Sequence, residues 1–170
     1  MPKCEREGYA EPPFFFIEEA ESSYAVAWFP MKLKTALPAL LRHWPARLQV
    51  HLEILEEDFE TVEYEAFGDI AREKFIKVLE KHPETAFSDG GVRFRVWRKE
   101  TDRERCLGLD EHGVLYLWEE PEHLREWLRA LGVEERKAAL VYEGNHDHSI
   151  PQDADLKRSR FVRALGLEEA

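Results

Sequence analysis

Apolar and polar positions alternate most cleanly in "RLQVHLEIL" (47–55), with Leu48, Val50, Leu52 and Ile54 on one side and Gln49, His51 and Glu53 on the other. A period of two predicts a strand with one face in the core. His51, on the polar side, is expected at the surface, as is His123 further along. "FETVEYEAF" (59–67) follows a short acidic turn and is expected to pair with the first run. "FFFIEE" (14–19) and "YAVAWF" (24–29) are aromatic and β-branched runs joined by polar residues, which suits a hairpin or two adjacent strands. "VRFRVWRK" (92–99), "RERCLGL" (103–109) and "GVLYLW" (113–118) are closely spaced, as in an antiparallel meander. "KAALVYEG" (137–144) reads as a last strand.

Spacings of three and four mark the helices. In "KLKTALPALLRHW" (32–44), Leu33, Leu37, Leu40, Leu41 and Trp44 share a face, and Thr35 as N-cap would leave Pro38 in the first turn. A second helix is expected from Gly68-Asp69 to about Lys81, with Ala71, Phe75, Val78 and Leu79 inward. "PEHLREWLRALG" (121–132) starts on a proline, ends on a glycine and turns Leu124, Trp127, Leu128 and Leu131 to one side, so these four are expected to be mostly buried. "DADLKRSRFVRALG" (153–166) predicts a closing helix. The order ββα-ββα-βββα-βα argues an α+β fold, a mostly antiparallel sheet with about four helices packed on it as a single layer-pair sandwich. Residues 1–170 read as a single globular domain, with residues 1–13, ending in Pro12-Pro13, as a loose arm.

With 170 residues, 44 % of them hydrophobic, the chain has material for a sizeable core. The net charge of −11 argues against nucleic acid and anionic membranes as partners, since both select a cationic face. It favours a basic protein partner, and the first 65 residues concentrate the acids, 13 Asp and Glu against 6 Lys and Arg. No run has signal-peptide or membrane-spanning character, so the cytoplasm is the default expectation. Cys4 and Cys106 are too few for a disulfide framework or a four-thiolate zinc site. Cys106 reads as a small buried strand residue and Cys4 as part of a mobile arm.

Three stretches carry candidate chemistry. In "EEDFETVEYE" (56–65), the acids Glu56, Glu57, Asp58, Glu60 and Glu63 with Phe59 and Tyr64 are expected to form a docking surface, aromatic anchors within a charged rim. The cluster Arg93, Arg95, Arg98, Lys99, Arg103 and Arg105 would either pair with Glu100, Asp102 and Glu104 or bind a phosphate or base. Gly144-Asn145-His146-Asp147-His148 resembles the "GNHD" motif of calcineurin-like metallophosphoesterases, which implies a two-metal centre that activates water. The resemblance covers five residues. The early Asp-x-His of that family and its later histidines have no counterpart, since no histidine follows His148.

A metal set of His146, Asp147 and His148 is the alternative considered; the primary expectation is a turn without metal, for want of a further paired ligand. Glycine-rich phosphate or dinucleotide loops and the nucleophile elbow do not occur. The chain therefore reads as an acidic, non-enzymatic interaction protein without cofactor, of the bacterial immunity or inhibitor type, that binds and masks a basic protein. The alternatives are a metal-dependent phosphoesterase-like or nucleotide-processing hydrolase at the GNHDH turn, and a ligand- or nucleic-acid-binding domain using the Arg93–Arg105 face.

Overall fold

The computed structural model describes residues 2–56, 60–97 and 105–170. The first half of these runs through β1 (Cys4–Glu5), β2 (Phe14–Glu18), β3 (Tyr24–Trp28), α1 (Leu33–Leu41), β4 (Arg47–Leu55), β5 (Thr61–Ala66), β6 (Ile70–Ala71), α2 (Arg72–Lys81) and α3 (Pro83–Phe87). The second half holds β7 (Val92–Trp97), β8 (Cys106–Leu109), β9 (Leu115–Trp118), α4 (Pro121–Ala130), β10 (Glu134–Glu135), β11 (Asp147–His148), α5 (Ala154–Leu165) and β12 (Leu167–Glu169). The fold is α+β with a mostly antiparallel sheet, as the alternation implies. Its order is β10-β2-β3-β9-β8-β7-β4-β5-β12, with β6 beside β4, and among the described residues only β10 and β2 pair in parallel. No helix among the described residues is long and apolar enough to cross a membrane.

One face of this sheet meets all five helices. Val50, Leu52, Phe94, Val96, Leu107 and Leu117 pack with Leu37 of α1, Phe75 of α2, Phe87 of α3, Leu124 of α4 and Phe161 of α5 in one core. Cross-strand registry then fixes what faces the other way. His51 lies opposite Arg95 and Glu65, Gly108 opposite Arg95 and Tyr116, and Val26 opposite Tyr116 and Phe16. This second face is polar along β4, β5 and β7 and apolar along β2 and β3. Three consecutive phenylalanines, Phe14–Phe16, cannot all point to one side of a strand, so β2 needs cover on both faces.

That cover comes from the N-terminal segment and residues 138–142, which build a smaller core of Cys4, Phe14, Val26, Trp28, Val114, Leu140 and Val141. The expected loose arm is therefore tied down. β1 pairs with β11, Lys3 and Cys4 are buried, and the Tyr9 ring meets Trp28 edge-on at 5.5 Å. The Tyr9 hydroxyl donates to the Ala139 carbonyl at 2.7 Å. Burial pushes the Cys4 thiol up to about 11, which keeps it protonated and inert. The expected last strand at 137–144 is absent. Leu140 and Val141 enter this second core from a turn closed by Glu143 N–H on the Leu140 carbonyl.

Smaller departures have local causes. Thr35 is not an N-cap. A 3₁₀ turn at Pro30–Lys32 leads into α1, the Thr35 hydroxyl donates back to the Lys32 carbonyl, and Pro38 lies within the helix. The short strand β12, which has no pattern of its own, follows the αL residue Gly166 and pairs with β5. On α4, Leu124 and Leu128 are fully buried, whereas Trp127 and the C-cap Leu131 are only partly so. Trp127 lies flat against His43 at 4.2 Å and against His123 at 5.6 Å, and leans on the buried Trp44. Trp127→Ala should consequently cost about 2 kcal/mol, less than the roughly 3–5 kcal/mol of a fully buried tryptophan. Urea denaturation checks this, and a loss above 4 kcal/mol would contradict the half-buried placement.

The loop "SDGG" joins the layers. Asp89, fully buried, receives two charge-assisted bonds from Arg158 of α5, Nε–H to Oδ2 at 2.7 Å and Nη2–H to Oδ1 at 2.8 Å. The buried Lys3 ammonium donates to the Asp89 and Val92 carbonyls. Gly90 and Gly91 are needed here for space. A β-carbon on Gly90 would overlap the Lys3 carbonyl oxygen, and one on Gly91 would overlap the Arg158 guanidinium.

Candidate functional site

The described residues of the acidic run do not form one patch. Glu56 and Tyr64 line a groove on the helix side, between α5 and the end of the sheet, together with Asp155, Arg158 and Arg163. Glu63 lies on the opposite face, its carboxylate 3.2 Å from His51 Nε2. Glu60 is exposed, and Glu57, Asp58 and Phe59 lie outside the described residues. Strand alternation separates Tyr64 from Glu63, so two of the described residues expected to act together lie on opposite faces of the sheet.

Along the second face, Glu63 instead joins Glu65 and Glu168. Glu65 and Glu168 stand directly opposite each other across β5 and β12, both exposed, and no ion pair reaches either among the described residues. Like charges in register destabilise a sheet. Phe67, the residue after β5, is fully exposed, at 101 %. The rim of the sheet is thus acidic, with no ion pair to Glu65 or Glu168 among the described residues, and an exposed aromatic ring stands beside it. β12 supplies half of it, and its sequence carries no strand signal, so this rim was not visible from the pattern.

The arginine face is largely occupied by internal pairs. Arg93, Arg95 and Trp97 share a face opposite the buried Val92, Phe94 and Val96, as expected. Their partner is Glu53, almost buried on β4, which pairs with Arg93 and lies 3.2 Å from Arg95. Arg93 also reaches Glu111 at 3.7 Å, and Arg105 pairs with Glu119. Arg98, Lys99 and Arg103 lie outside the described residues, as do the expected acids Glu100, Asp102 and Glu104. His51 is buried rather than exposed, because Glu53, Glu63 and Arg95 close over it. Gly108 leaves space beside Arg95, and a pocket of about 390 Å³ opens there between His51, Glu53, Arg95, Asp110, Tyr116 and Trp118.

Beside that pocket three histidines converge. His112 sits in the β8–β9 turn, whose shape Asp110 sets: its Oδ1 accepts the His112 N–H at 3.0 Å and the Val114 N–H at 2.8 Å. His146 and His148 come from the GNHDH segment, the latter held in β11 against β1. Ring centroids of the three lie 5.0–5.3 Å apart, and one ligand atom from each falls within 4.8 Å of the others. Asp110, Glu111 and His112 form an overlapping group of the same dimension. Asp147, placed in the alternative metal set, is exposed and belongs to neither group; His112 takes its place. A histidine in the tight turn "DEHG" was the available signal, and nothing in the one-dimensional pattern places that turn 34 residues away from His146 in contact with it.

Comparison with known proteins finds no matching family model, no matching curated protein and no matching solved structure.

Proposed function

We propose that this chain is an acidic, non-enzymatic interaction protein of the immunity or inhibitor type, which binds and masks a basic protein through the outer rim of its sheet. The observation that carries the reading is the Glu65–Glu168 pair, two exposed carboxylates in direct cross-strand register with no described counter-charge, next to the fully exposed Phe67. In the free chain this arrangement costs stability. A cationic surface laid over it would relieve the repulsion, while Phe67 offers the apolar anchor that a charged rim surrounds at many interfaces. The net charge of −11 would steer such a partner from a distance.

Glu168→Lys separates this reading from a merely solvated edge. The substitution exchanges a like-charge register pair for an opposite-charge one, so the free chain should gain roughly 0.5–1 kcal/mol. At the same time, capture of a basic protein from lysate of the native cell, seen with the unaltered chain and identified by mass, should be lost. A variant that is more stable and equally competent in capture would contradict the proposal.

A further inference from the structure

We infer that His112, His146 and His148 bind one transition-metal ion of the zinc class through their three Nε2 atoms, which is a property beyond the docking reading and independent of it. The tautomers argue for it first. His146 Nδ1 lies 2.7 Å from the Gly144 carbonyl oxygen, His148 Nδ1 lies 3.0 Å from the Gly90 carbonyl oxygen, and His112 Nδ1 lies 3.2 Å from Asp110 Oδ2. Carbonyl and carboxylate oxygens only accept, so each Nδ1 carries the hydrogen and donates it. In the neutral ring Nε2 then keeps the lone pair that a metal needs. Imidazoles oriented this way, two by backbone and one by a carboxylate, match what metal-binding histidines require of their surroundings.

The spacing agrees. Three nitrogens at the roughly 2.0–2.1 Å typical of zinc, in tetrahedral arrangement, stand about 3.3 Å apart. One ring nitrogen from each of the three histidines already lies within 4.8 Å of the others, so the cluster has to tighten by about 1.5 Å at most around an ion. The rings are partly exposed, so an ion has access from solvent. Three imidazoles suit zinc, and with less selectivity copper, nickel or cobalt. A three-histidine set leaves a fourth position for water or for the carboxylate of Glu111.

The backbone around the cluster is built to hold it. Gly90 lies directly under His148, where a β-carbon would stand 3.0 Å from the His148 Cβ, and its N–H donates to the Ser149 carbonyl at 2.7 Å. Asp110 spends one carboxylate oxygen on the turn and the other on the His112 ring. The ion would therefore join the β8–β9 turn to the segment that covers the small second core. It would staple the two layers beside the Gly90–Ser149 backbone bond.

The 170-residue chain purified without a histidine tag is the material for the test. Metal analysis should find close to one zinc-class ion per chain, and calorimetric titration of the chelator-treated protein with zinc should give a single site. His112→Ala should abolish that site, and Asp110→Asn should weaken it by about 10–100-fold while every ligand remains. The unaltered chain should melt higher with zinc than without, and His112→Ala should melt at one temperature in both. Binding that survives His112→Ala, or that Asp110→Asn leaves untouched, would overturn the inference. So would no stoichiometric uptake by a chain that is folded by circular dichroism.

Discussion

Arg158→Ala is expected to lower the unfolding free energy by about 3–5 kcal/mol, the range for removing one partner of a buried ion pair. The reason is what would be left behind. Asp89 is fully buried, and without Arg158 its carboxylate retains only the Gly91 N–H, at 2.8 Å, as a described hydrogen-bond donor. Arg158 also raises no solvent-screening objection of the kind that discounts surface pairs, since its side chain is only 10 % exposed. Arg158→Ala combined with Asp89→Asn should recover part of the loss, because the uncompensated charge goes with the second change. Guanidinium denaturation of the single and double variants measures both. A single variant within 1 kcal/mol of the unaltered chain would show that the pair does not join α5 to the "SDGG" loop as described.

The second large effect concerns Lys3, and it depends on pH. Burial lowers its pKa from 10.5 to about 8, against the pull of Asp89, Asp110 and Glu111. Between those two values the unfolded chain holds the proton and the folded chain does not, so the Lys3 contribution to stability rises with pH through that window. At 1.36 kcal/mol per pH unit the full rise is about 3 kcal/mol. Cys4 and Tyr9, whose pKa values burial raises, oppose it in the same range. Comparison with Lys3→Met cancels their part. The unaltered chain should gain on Lys3→Met by about 2–3 kcal/mol from pH 7.5 to pH 10 in urea denaturation. A constant difference across that range would mean that Lys3 is solvated and the N-terminal segment is not pinned.

How much of this was legible follows from where each constraint resides. Alternation in 47–55 and 92–97, and three-four spacing in 121–130, are local, and each produced the element it implies. The same rule misplaced Leu140 and Val141. An apolar run of that length suits a strand or a buried turn equally, and the deciding fact is the apolar outer face of β2 and β3, distant in sequence. The triple phenylalanine was the available clue that this face needed a cover. His51 followed the alternation faithfully, yet it is buried, because its own contacts with Glu53 and Glu63 and the Glu53–Arg95 pair close a polar face that pattern alone reads as solvent. At the histidines, residues 146 and 148 could be read from their spacing, but the third ligand comes from a different turn of the sheet, and only registry brings it near.

Association of the purified chain with a basic protein recovered by the lysate capture proposed above, followed by stopped flow across a salt series, tests the proposed docking most directly. The account predicts a rate that falls steeply as salt screens the acidic rim, and a slower, flatter dependence when Glu65 and Glu168 are both changed to Lys. Equal rates for the two proteins at low salt would contradict it.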